Sequence, residues 1–303
     1  MAVGIRFGLC CQFLDHPIRF RTATHRYVAS LPRKERRVYL GAIARDNAVA
    51  LGAAVAACHP LGIGAFRINS QFLPLATHPV SGYSLAAIDE TGETAVLLDA
   101  AREAARRLDI RLSFHPDQFV VLNSERADVV ASAVRELHHQ GDVAELIGAD
   151  TIVLHAGALS GGMTAALDRL ERGIERLNDA PRRRLALEND DRLFAPADLL
   201  PLCERLGVPL VYDVHHHRCR PDQLSVAEAT DRAAATWRGR EPWVHVSSPR
   251  DAWRAVNPRP HADFIAPRDF PAEWLGRTMT IDVEAKAKER AVLALRRRLR
   301  GRG

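Results

Sequence analysis

Residues 185–214 read LALENDDRLFAPADLLPLCERLGVPLVYDV and contain one strand–helix–strand unit. The apolar runs at 184–188 and 209–213 predict two buried strands, and residues 196–206 between them have helical spacing. Two strands joined by a helical crossover pair in parallel. This stretch therefore predicts one unit of a parallel α/β fold.

The same unit recurs along the chain. Apolar runs rich in β-branched residues predict eight strands, at 3–10, 65–69, 111–115, 151–155, 184–188, 209–213, 243–247 and 279–284. Helical spacing predicts helices at 36–59, 94–108, 127–148, 164–177, 196–206, 225–236 and 285–300. Eight such units predict a single (β/α)8 TIM-type barrel over residues 1–303, with its active site at the C-terminal ends of the strands. The alternative, an open doubly wound sheet, is weakened because neither GxGxxG nor GxxxxGK follows any predicted strand.

The composition is that of a globular protein, with 47% hydrophobic residues, 26% charged residues and a net charge of +5. There is no run of 18 apolar residues, no signal-peptide pattern at the N-terminus, and no repeated CxxC among the five cysteines. These features predict a cytoplasmic protein without a membrane span.

Arginine greatly outnumbers lysine, and we attribute most of this excess to background composition. Residues 296–303, which include RRRLRGR, are predicted to form a flexible basic tail.

Metal-ligating side chains fall at the ends of successive predicted strands, about one strand–helix unit apart. They are His115, His155, Glu188, Asp213, His245 and Glu284. Three more histidines lie in the loops that follow strands: His78, His216 and His261. One such residue alone is typical of a hydrogen-bonding group, but several buried together would each cost several kcal/mol without a shared partner. Divalent cations are such a partner.

The ligand types narrow the chemistry. Mixed imidazole and carboxylate ligands favour Mn²⁺, Zn²⁺ or Fe²⁺ over Ca²⁺. The candidate ligands outnumber those that one ion takes, so two or three ions are predicted. Clustered divalent ions are typical of displacement at phosphorus. The sequence therefore predicts metal-assisted phosphodiester hydrolysis, and the residues assigned the catalytic role are Glu188, Asp213, His245 and Glu284.

The motifs THPV, FHPDQF, VLHAGA, LENDD, YDVHHHR, VHVSS, PRPHADF and VEAKAKE, in this order, resemble the UV damage endonuclease family. This family of TIM barrels is related in architecture to endonuclease IV. The resemblance implies a multinuclear site, commonly with manganese, and places its ligands at the same nine positions. It also implies incision of damaged double-stranded DNA immediately 5′ to a pyrimidine photoproduct, leaving a 3′-hydroxyl and a 5′-phosphate. We expect a monomer that associates with the nucleoid during repair and needs no protein partner.

The resemblance also suggests which residues meet the DNA. The family's lesion-probing pair corresponds to Gln118 and Phe119, although an aromatic packed on the barrel top is the alternative interpretation. The arginines predicted to contact DNA from the catalytic face are Arg67, Arg218, Arg220 and Arg250.

Two departures from the family leave alternatives open. Trp243 stands where some members have a carboxylated lysine that bridges metals, and Leu9 or Cys10 stands near the family's first-strand tyrosine. An endonuclease with altered lesion specificity, such as for abasic sites, is therefore one alternative. A metal-dependent sugar isomerase or epimerase on the same barrel is the second, and a non-catalytic DNA-binding module is the third.

Overall fold

The computed structural model describes residues 4–300, and eight parallel strands in them close into a barrel in chain order. The strands are β1 (Ile5–Cys10), β2 (Ala65–Ile68), β3 (Arg111–Phe114), β4 (Thr151–His155), β5 (Leu185–Glu188), β6 (Leu210–Asp213), β7 (Trp243–Val246) and β8 (Met279–Val283). Strand β8 pairs with β1 and closes the barrel. The predicted TIM-type barrel is confirmed, and the open-sheet alternative is wrong. Residue 3, in the first predicted strand, lies outside the described residues.

Helices follow the strands and form the outer layer of the barrel. They are α1 (His25–Ser30), α2 (Arg33–Leu61), α3 (Leu85–Ile88), α4 (Glu93–Arg107), α5 (Ala127–Ile147), α6 (Met163–Glu175), α7 (Asp179–Arg182), α8 (Pro196–Leu206), α9 (Val214–Cys219), α10 (Val226–Thr236) and α11 (Lys288–Arg300), with a 3₁₀ turn at Ala272–Trp274. Each helix predicted from periodicity is present. The additional helices have four to six residues, too few for a periodic pattern to show in the sequence.

The strands alternate between an outward and an inward face. Outward side chains such as Val244 and Ile281 pack into the large hydrophobic core between the barrel and its helices. Inward side chains on the same strands, such as Trp243 and Asp282, are fully buried inside the barrel. Because this alternation has a period of two, residues two apart on a strand lie on the same side of the barrel wall.

Helix α2 is long and apolar enough, by length and composition, to cross a membrane. Half of its most apolar 18-residue window is buried in the fold, where Leu51, Val55 and Cys58 belong to the main core. The helix ends at Gly62, whose φ of 61° places it in the left-handed region that favours glycine. Its apolar character is therefore accounted for by packing against the barrel.

The C-terminal segment differs from the prediction of a flexible basic tail. Residues 296–300 belong to helix α11, and Arg296 donates a hydrogen bond to the backbone carbonyl of Leu61. Arg298 also reaches a backbone carbonyl, that of Ile265, at 3.5 Å. The prediction is wrong for these residues because the arginines bind backbone carbonyls of the barrel's own connections. Residues 301–303 lie outside the described part of the chain.

Candidate metal centre and DNA-facing rim

Glu188, the last residue of β5, lies at the centre of the site and is buried. Its Oε2 lies 2.8 Å from His115 Nε2 and 3.9 Å from His155 Nε2. The ligand atoms of these three side chains all lie within 4.8 Å of one another, close enough to hold one metal ion. His115 follows β3 and His155 ends β4, so three neighbouring strands supply this first group.

The other carboxylate oxygen of Glu188 faces a second set of ligands. Its Oε1 lies 3.1 Å from His245 Nδ1 and 3.4 Å from His216 Nδ1. Glu188 forms a second candidate metal group with Asp213 and His216. Asp213 in turn forms a third with His245 and Glu284. Glu188 and Asp213 are thus shared between groups, which is the arrangement that neighbouring ions require.

An asparagine side chain joins the ends of the two strands that carry the shared carboxylates. Asn189 Oδ1 accepts a hydrogen bond from the Asp213 backbone N–H at 2.9 Å, and its Nδ2 donates to the Asp213 carbonyl, also at 2.9 Å. The amide therefore pairs with the backbone of β6 in the way that a neighbouring strand does. Since Asn189 directly follows Glu188, this pair of hydrogen bonds fixes Glu188 relative to Asp213.

The electrostatics of the site favour the charged form of two of its carboxylates, Glu188 and Glu284. Burial acts to raise the pKa of Glu188, but the imidazoles of His245 and His155 outweigh it and hold the pKa well below its usual range. Burial also opposes ionisation of Glu284, whose pKa is held well below normal by the Arg67 guanidinium. For Asp213, burial prevails and raises the pKa. The site therefore concentrates negative charge in a desolvated position.

The histidines divide into two electrostatic classes. Burial lowers the pKa of His155 to about 4, so this ring is neutral at physiological pH and free to bind a metal. Burial also acts to lower the pKa of His245, but the Glu188 carboxylate outweighs it and raises the pKa to about 9. A protonated His245 therefore supplies positive charge among these carboxylates, and a bound cation would displace that proton.

Several polar atoms of the site lack a partner within the protein. Among residues 4–300, no hydrogen-bond partner is found for the buried atoms His155 Nδ1, Asp213 Oδ2 and His245 Nε2. Unpaired buried polar atoms are rare in folded proteins and are expensive to maintain. Together with the three groups of adjacent ligand atoms, they show that these residues fit a set of divalent cations.

The remaining two predicted loop histidines, His261 and His78, differ in position. His261 Nδ1 lies 3.6 Å from Glu284 Oε2, so this ring adjoins the site. His78 is in none of the metal-binding groups found in the described residues, because its ring stacks on His25 at 4.1 Å and its Nδ1 accepts hydrogen bonds from two backbone amides. It lines a groove of about 550 Å³ together with Phe119. The structure thus places the predicted ligand His78 in the same groove as Phe119.

Arg67 lies inside the barrel beside the candidate ligand Glu284, and its predicted DNA contact stays a prediction. Its side chain points into the barrel from β2, and its Nη1 lies 2.5 Å from Glu284 Oε1 and 3.9 Å from Asp282 Oδ2. The side chain is only 12% exposed. Arg67 points inward because it lies two residues after the inward-facing Ala65 and shares its face of the strand.

The other predicted DNA contacts lie on the surface or near it. Phe119 is 79% exposed, and the neighbouring Gln118 is exposed as well, so the alternative of an aromatic packed on the barrel top is wrong. Arg250 is exposed and pairs with Asp251 at 3.1 Å. The remaining two arginines, Arg218 and Arg220, are half-buried and already engaged, with the Asp269 carbonyl and the Asp198 carboxylate respectively.

Two residues near the centre were missed in the sequence. Asn189 follows Glu188 directly, but nothing in the pattern indicates that its amide would bind β6. Asp282 lies two residues before Glu284 on β8, so the strand period alone places it on the same inward face. The strand period is therefore the signal that could have identified Asp282.

Comparisons with known proteins agree with this geometry. A sequence model of the family described as UV-endonuclease UvdE matches residues 5–302. The UV DNA damage endonuclease of Deinococcus radiodurans is 37% identical over 307 residues, which cover 96% of this chain and 94% of that protein. The crystal structure of SacUVDE has 26% identity and a TM-score of 0.85, with 98% of each chain covered.

A more distant likeness extends to the fold alone. Endonuclease IV from Thermus thermophilus is 19% identical, with a TM-score of 0.62 over 98% of this chain and 99% of that one. The family match, by contrast, spans every strand that carries a candidate ligand. The chain therefore belongs to the UV-endonuclease UvdE family.

Proposed function

We propose that the protein is a metal-dependent DNA repair endonuclease that cuts the damaged strand immediately 5′ to UV photoproducts. The products would carry a 3′-hydroxyl and a 5′-phosphate. The observation that supports this most directly is the sharing of Glu188 between two histidine-containing ligand groups. Family membership supports the DNA-cleaving activity, and the relative in Deinococcus radiodurans is named a UV DNA damage endonuclease.

The candidate ligands would hold two or three divalent ions, with manganese preferred and zinc or iron as alternatives. Bound there, the ions would supply Lewis-acid stabilisation of the charge that develops on the phosphate. The residues that would hold them are His115, His155, Glu188, Asp213, His216, His245, His261 and Glu284. His78 stays a predicted ninth ligand; its ring stacks on His25 at the neighbouring groove.

The protein's own residues orient this centre before any substrate arrives. His115 Nδ1 lies 3.1 Å from the Pro116 carbonyl, which leaves Nε2 for a metal. His216 Nδ1 lies 3.0 Å from the Asn189 carbonyl and 3.4 Å from Glu188 Oε1, so the ring is held at the edge of the cluster. Arg67 balances the charge of Glu284. Because these contacts are made within the fold, little reorganisation is needed when the phosphate binds.

The DNA side of the site is built from exposed loop residues. Phe119 projects into solvent after β3, where an aromatic ring can enter an unstacked base step. Gln118 beside it supplies a polar group to the opened step. Arg250 after β7 offers a cation for a backbone phosphate. Arg218 and Arg220 would reach phosphates only by exchanging their present partners.

The proposal extends to the protein's partner and location. Damaged double-stranded DNA is the partner, and we propose a monomer with a single catalytic domain over residues 1–303 that works in the cytoplasm at the nucleoid. The sugar isomerase alternative is disfavoured, because family membership and the exposed Phe119 fit a duplex better than a closed small-molecule pocket.

A duplex with one cyclobutane pyrimidine dimer, labelled on the 5′ end of either strand, tests this function. Metal-free protein supplied with Mn²⁺ should nick only the damaged strand, at the phosphodiester 5′ to the dimer. A DNA polymerase should extend the nicked end without further processing, as expected for a 3′-hydroxyl. A chelator should abolish the reaction.

The failure of saturating Mn²⁺, Zn²⁺ and Fe²⁺ to support nicking of this duplex would overturn the proposal. A matched duplex with an abasic site separates the two lesion classes. Nicking of that duplex alone would replace photoproducts with abasic sites as the substrate.

A further inference from the structure

One buried acidic group in the barrel, Asp282 on β8, belongs to none of the three metal-binding groups found in the described residues. It is fully buried, and neither carboxylate oxygen has a hydrogen-bond partner within residues 4–300. Burying a carboxylate without a partner costs free energy, so we expect a hydrogen-bond donor or a positive charge nearby.

Two neighbouring strands define the surroundings of Asp282. On β1 its partner in register is Gly8, and a Cβ atom added to Gly8 would lie 2.1 Å from Asp282 Oδ1. The carboxylate therefore occupies the space that a side chain at position 8 would need. On β7 its partner in register is His245, whose Nε2 lies 3.6 Å from Asp282 Oδ2.

His245 lies between this carboxylate and the metal centre. Its Nδ1 lies 3.1 Å from Glu188 Oε1 and 3.5 Å from Glu284 Oε1, so this nitrogen faces the ligand cluster. Its Nε2 faces away from the cluster, toward Asp282. An imidazole that gives Nδ1 to a metal carries its proton on Nε2, and that N–H requires an acceptor.

Another histidine ligand, His115, shows the same arrangement with a backbone acceptor. Its Nε2 faces Glu188 Oε2 at 2.8 Å, and its Nδ1 lies 3.1 Å from the Pro116 carbonyl. For His245, which sits deep in the barrel, the corresponding group is the Asp282 side chain. Trp243, two residues before His245 on the inward face, cannot serve, because an indole N–H donates and does not accept.

We propose that Asp282 is a positioning residue that accepts the Nε2–H of His245 and holds Nδ1 toward the metal centre. This inference rests on the proposed metal-dependent function. A carboxylate acceptor increases the basicity of the imidazole as well as fixing its tautomer. Arg67, with Nη1 3.9 Å from Asp282 Oδ2, keeps the carboxylate from being isolated when no metal is bound.

Titration of metal-free protein with Mn²⁺ alone, by calorimetry, tests the proposal. Asp282→Leu removes the acceptor and should lower Mn²⁺ affinity roughly 10- to 100-fold. Asp282→Asn retains an acceptor oxygen without the charge, so its Mn²⁺ affinity should fall less than that of Asp282→Leu. Gly8→Ala should weaken binding by displacing the carboxylate while leaving its charge intact.

The matched control is Thr280→Val, two residues earlier on the inward face of β8. Thr280 contacts Glu241 and Arg111 at the other end of the barrel, so this variant should bind Mn²⁺ as the wild type does. A second readout is the His245 Nε2–H proton in the NMR spectrum of protein loaded with diamagnetic Zn²⁺. It should be shifted downfield and protected from exchange in the wild type, and lost in Asp282→Leu.

Unchanged Mn²⁺ affinity in folded Asp282→Leu and Asp282→Asn, or an Nε2–H signal that persists in Asp282→Leu, overturns the inference. An equal loss of affinity in Thr280→Val also overturns it, since any damage to the barrel interior would then suffice. A wild type that binds Mn²⁺ and fails to nick damaged DNA would instead overturn the proposed function and leave this inference standing.

Discussion

The two ends of the barrel interior are both polar, and they differ in whether every buried charged group finds a partner within the protein. At the N-terminal end, Arg6 Nε donates to Glu241 at 3.0 Å, and Arg111 donates to Thr280 at 2.7 Å and to Asp150 at 2.9 Å. Thr280 donates to Glu241 at 2.5 Å and completes this network. At the C-terminal end, no hydrogen-bond partner is found among residues 4–300 for the buried atoms His155 Nδ1, Asp213 Oδ2 and His245 Nε2.

This difference separates a structural network from a binding site. Charged groups that pair with one another fill the lower barrel, where the Arg111 guanidinium also stacks on Trp243 at 4.3 Å. At the rim, by contrast, buried atoms of Asp213, His245 and Asp282 have no hydrogen-bond partner among residues 4–300. Counting buried charges would not distinguish the two ends, whereas following each group to its partner does.

The largest contrast is expected from removing the charge of one glutamate at each end. Glu188→Gln should lower the rate of nicking of UV-irradiated duplex on the order of 10³-fold, because two ligand groups lose their shared carboxylate. Glu241→Gln should nick at the wild-type rate. Rates comparable for Glu188→Gln and Glu241→Gln would remove the distinction between the two ends.

A smaller effect is expected at the exposed edge of the rim. Phe119→Ala should lower nicking of damaged duplex about tenfold, because stacking on a base contributes about 1–3 kcal/mol. The melting temperature of Phe119→Ala should equal that of the wild type, since the ring is exposed. Val38→Ala, another exposed apolar side chain but on helix α2, is the control. A loss of stability without a loss of activity in Phe119→Ala would assign that ring to the fold.

Metal binding should stabilise the folded protein through the ligands at the rim, without any contribution from the lower network. Mn²⁺ at 100 times its dissociation constant should add about 2.7 kcal/mol to the free energy of unfolding of metal-free protein. Differential scanning calorimetry should show a rise in melting temperature of roughly 5 °C in the wild type and in Glu241→Gln. The rise should be much smaller in Glu188→Gln. An equal rise in Glu188→Gln would place the stabilising ion elsewhere.

The smallest effect concerns pH and the lower network. Burial acts to raise the pKa of Glu241, but its hydrogen bonds from Arg6 and Thr280 prevail and lower the pKa below its ordinary value of 4.5. The stability that this carboxylate contributes is therefore present above about pH 4.5 and lost as the pH falls through the lowered pKa. Glu241→Gln should cost about 1–2 kcal/mol at pH 7 and less at pH 3. A difference in melting temperature that grows on acidification would contradict this assignment.

The barrel was predictable because its signals are local and repeated. Each strand is a short apolar run, and helix α8 was predicted with both ends correct because Pro196 begins it and Gly207 follows it. Short helices such as α9 carry no periodic signal; α9 begins only because the Asp213 side chain accepts the His216 N–H at 2.7 Å.

The site was predictable in its composition and less so in its geometry. Strand ends indicated where Glu188 and Asp213 would lie, since the carboxyl ends of parallel strands meet at one rim. The stacking of His78 on His25 depends on the path of two long loops, which no local pattern specifies. The inward direction of Arg67, by contrast, follows from the strand period, since Arg67 lies two residues after Ala65 on β2.

The hydrogen bonds between Asn189 and the backbone of Asp213 have a consequence for the tolerance of this site to substitution. They join the ends of β5 and β6 through one side-chain amide. Replacing Asn189 would leave the backbone N–H and C=O of Asp213 without these partners in a buried position, where an unpaired polar group costs about 1–3 kcal/mol. The backbone at the ends of two strands that carry candidate ligands therefore depends on one uncharged side chain.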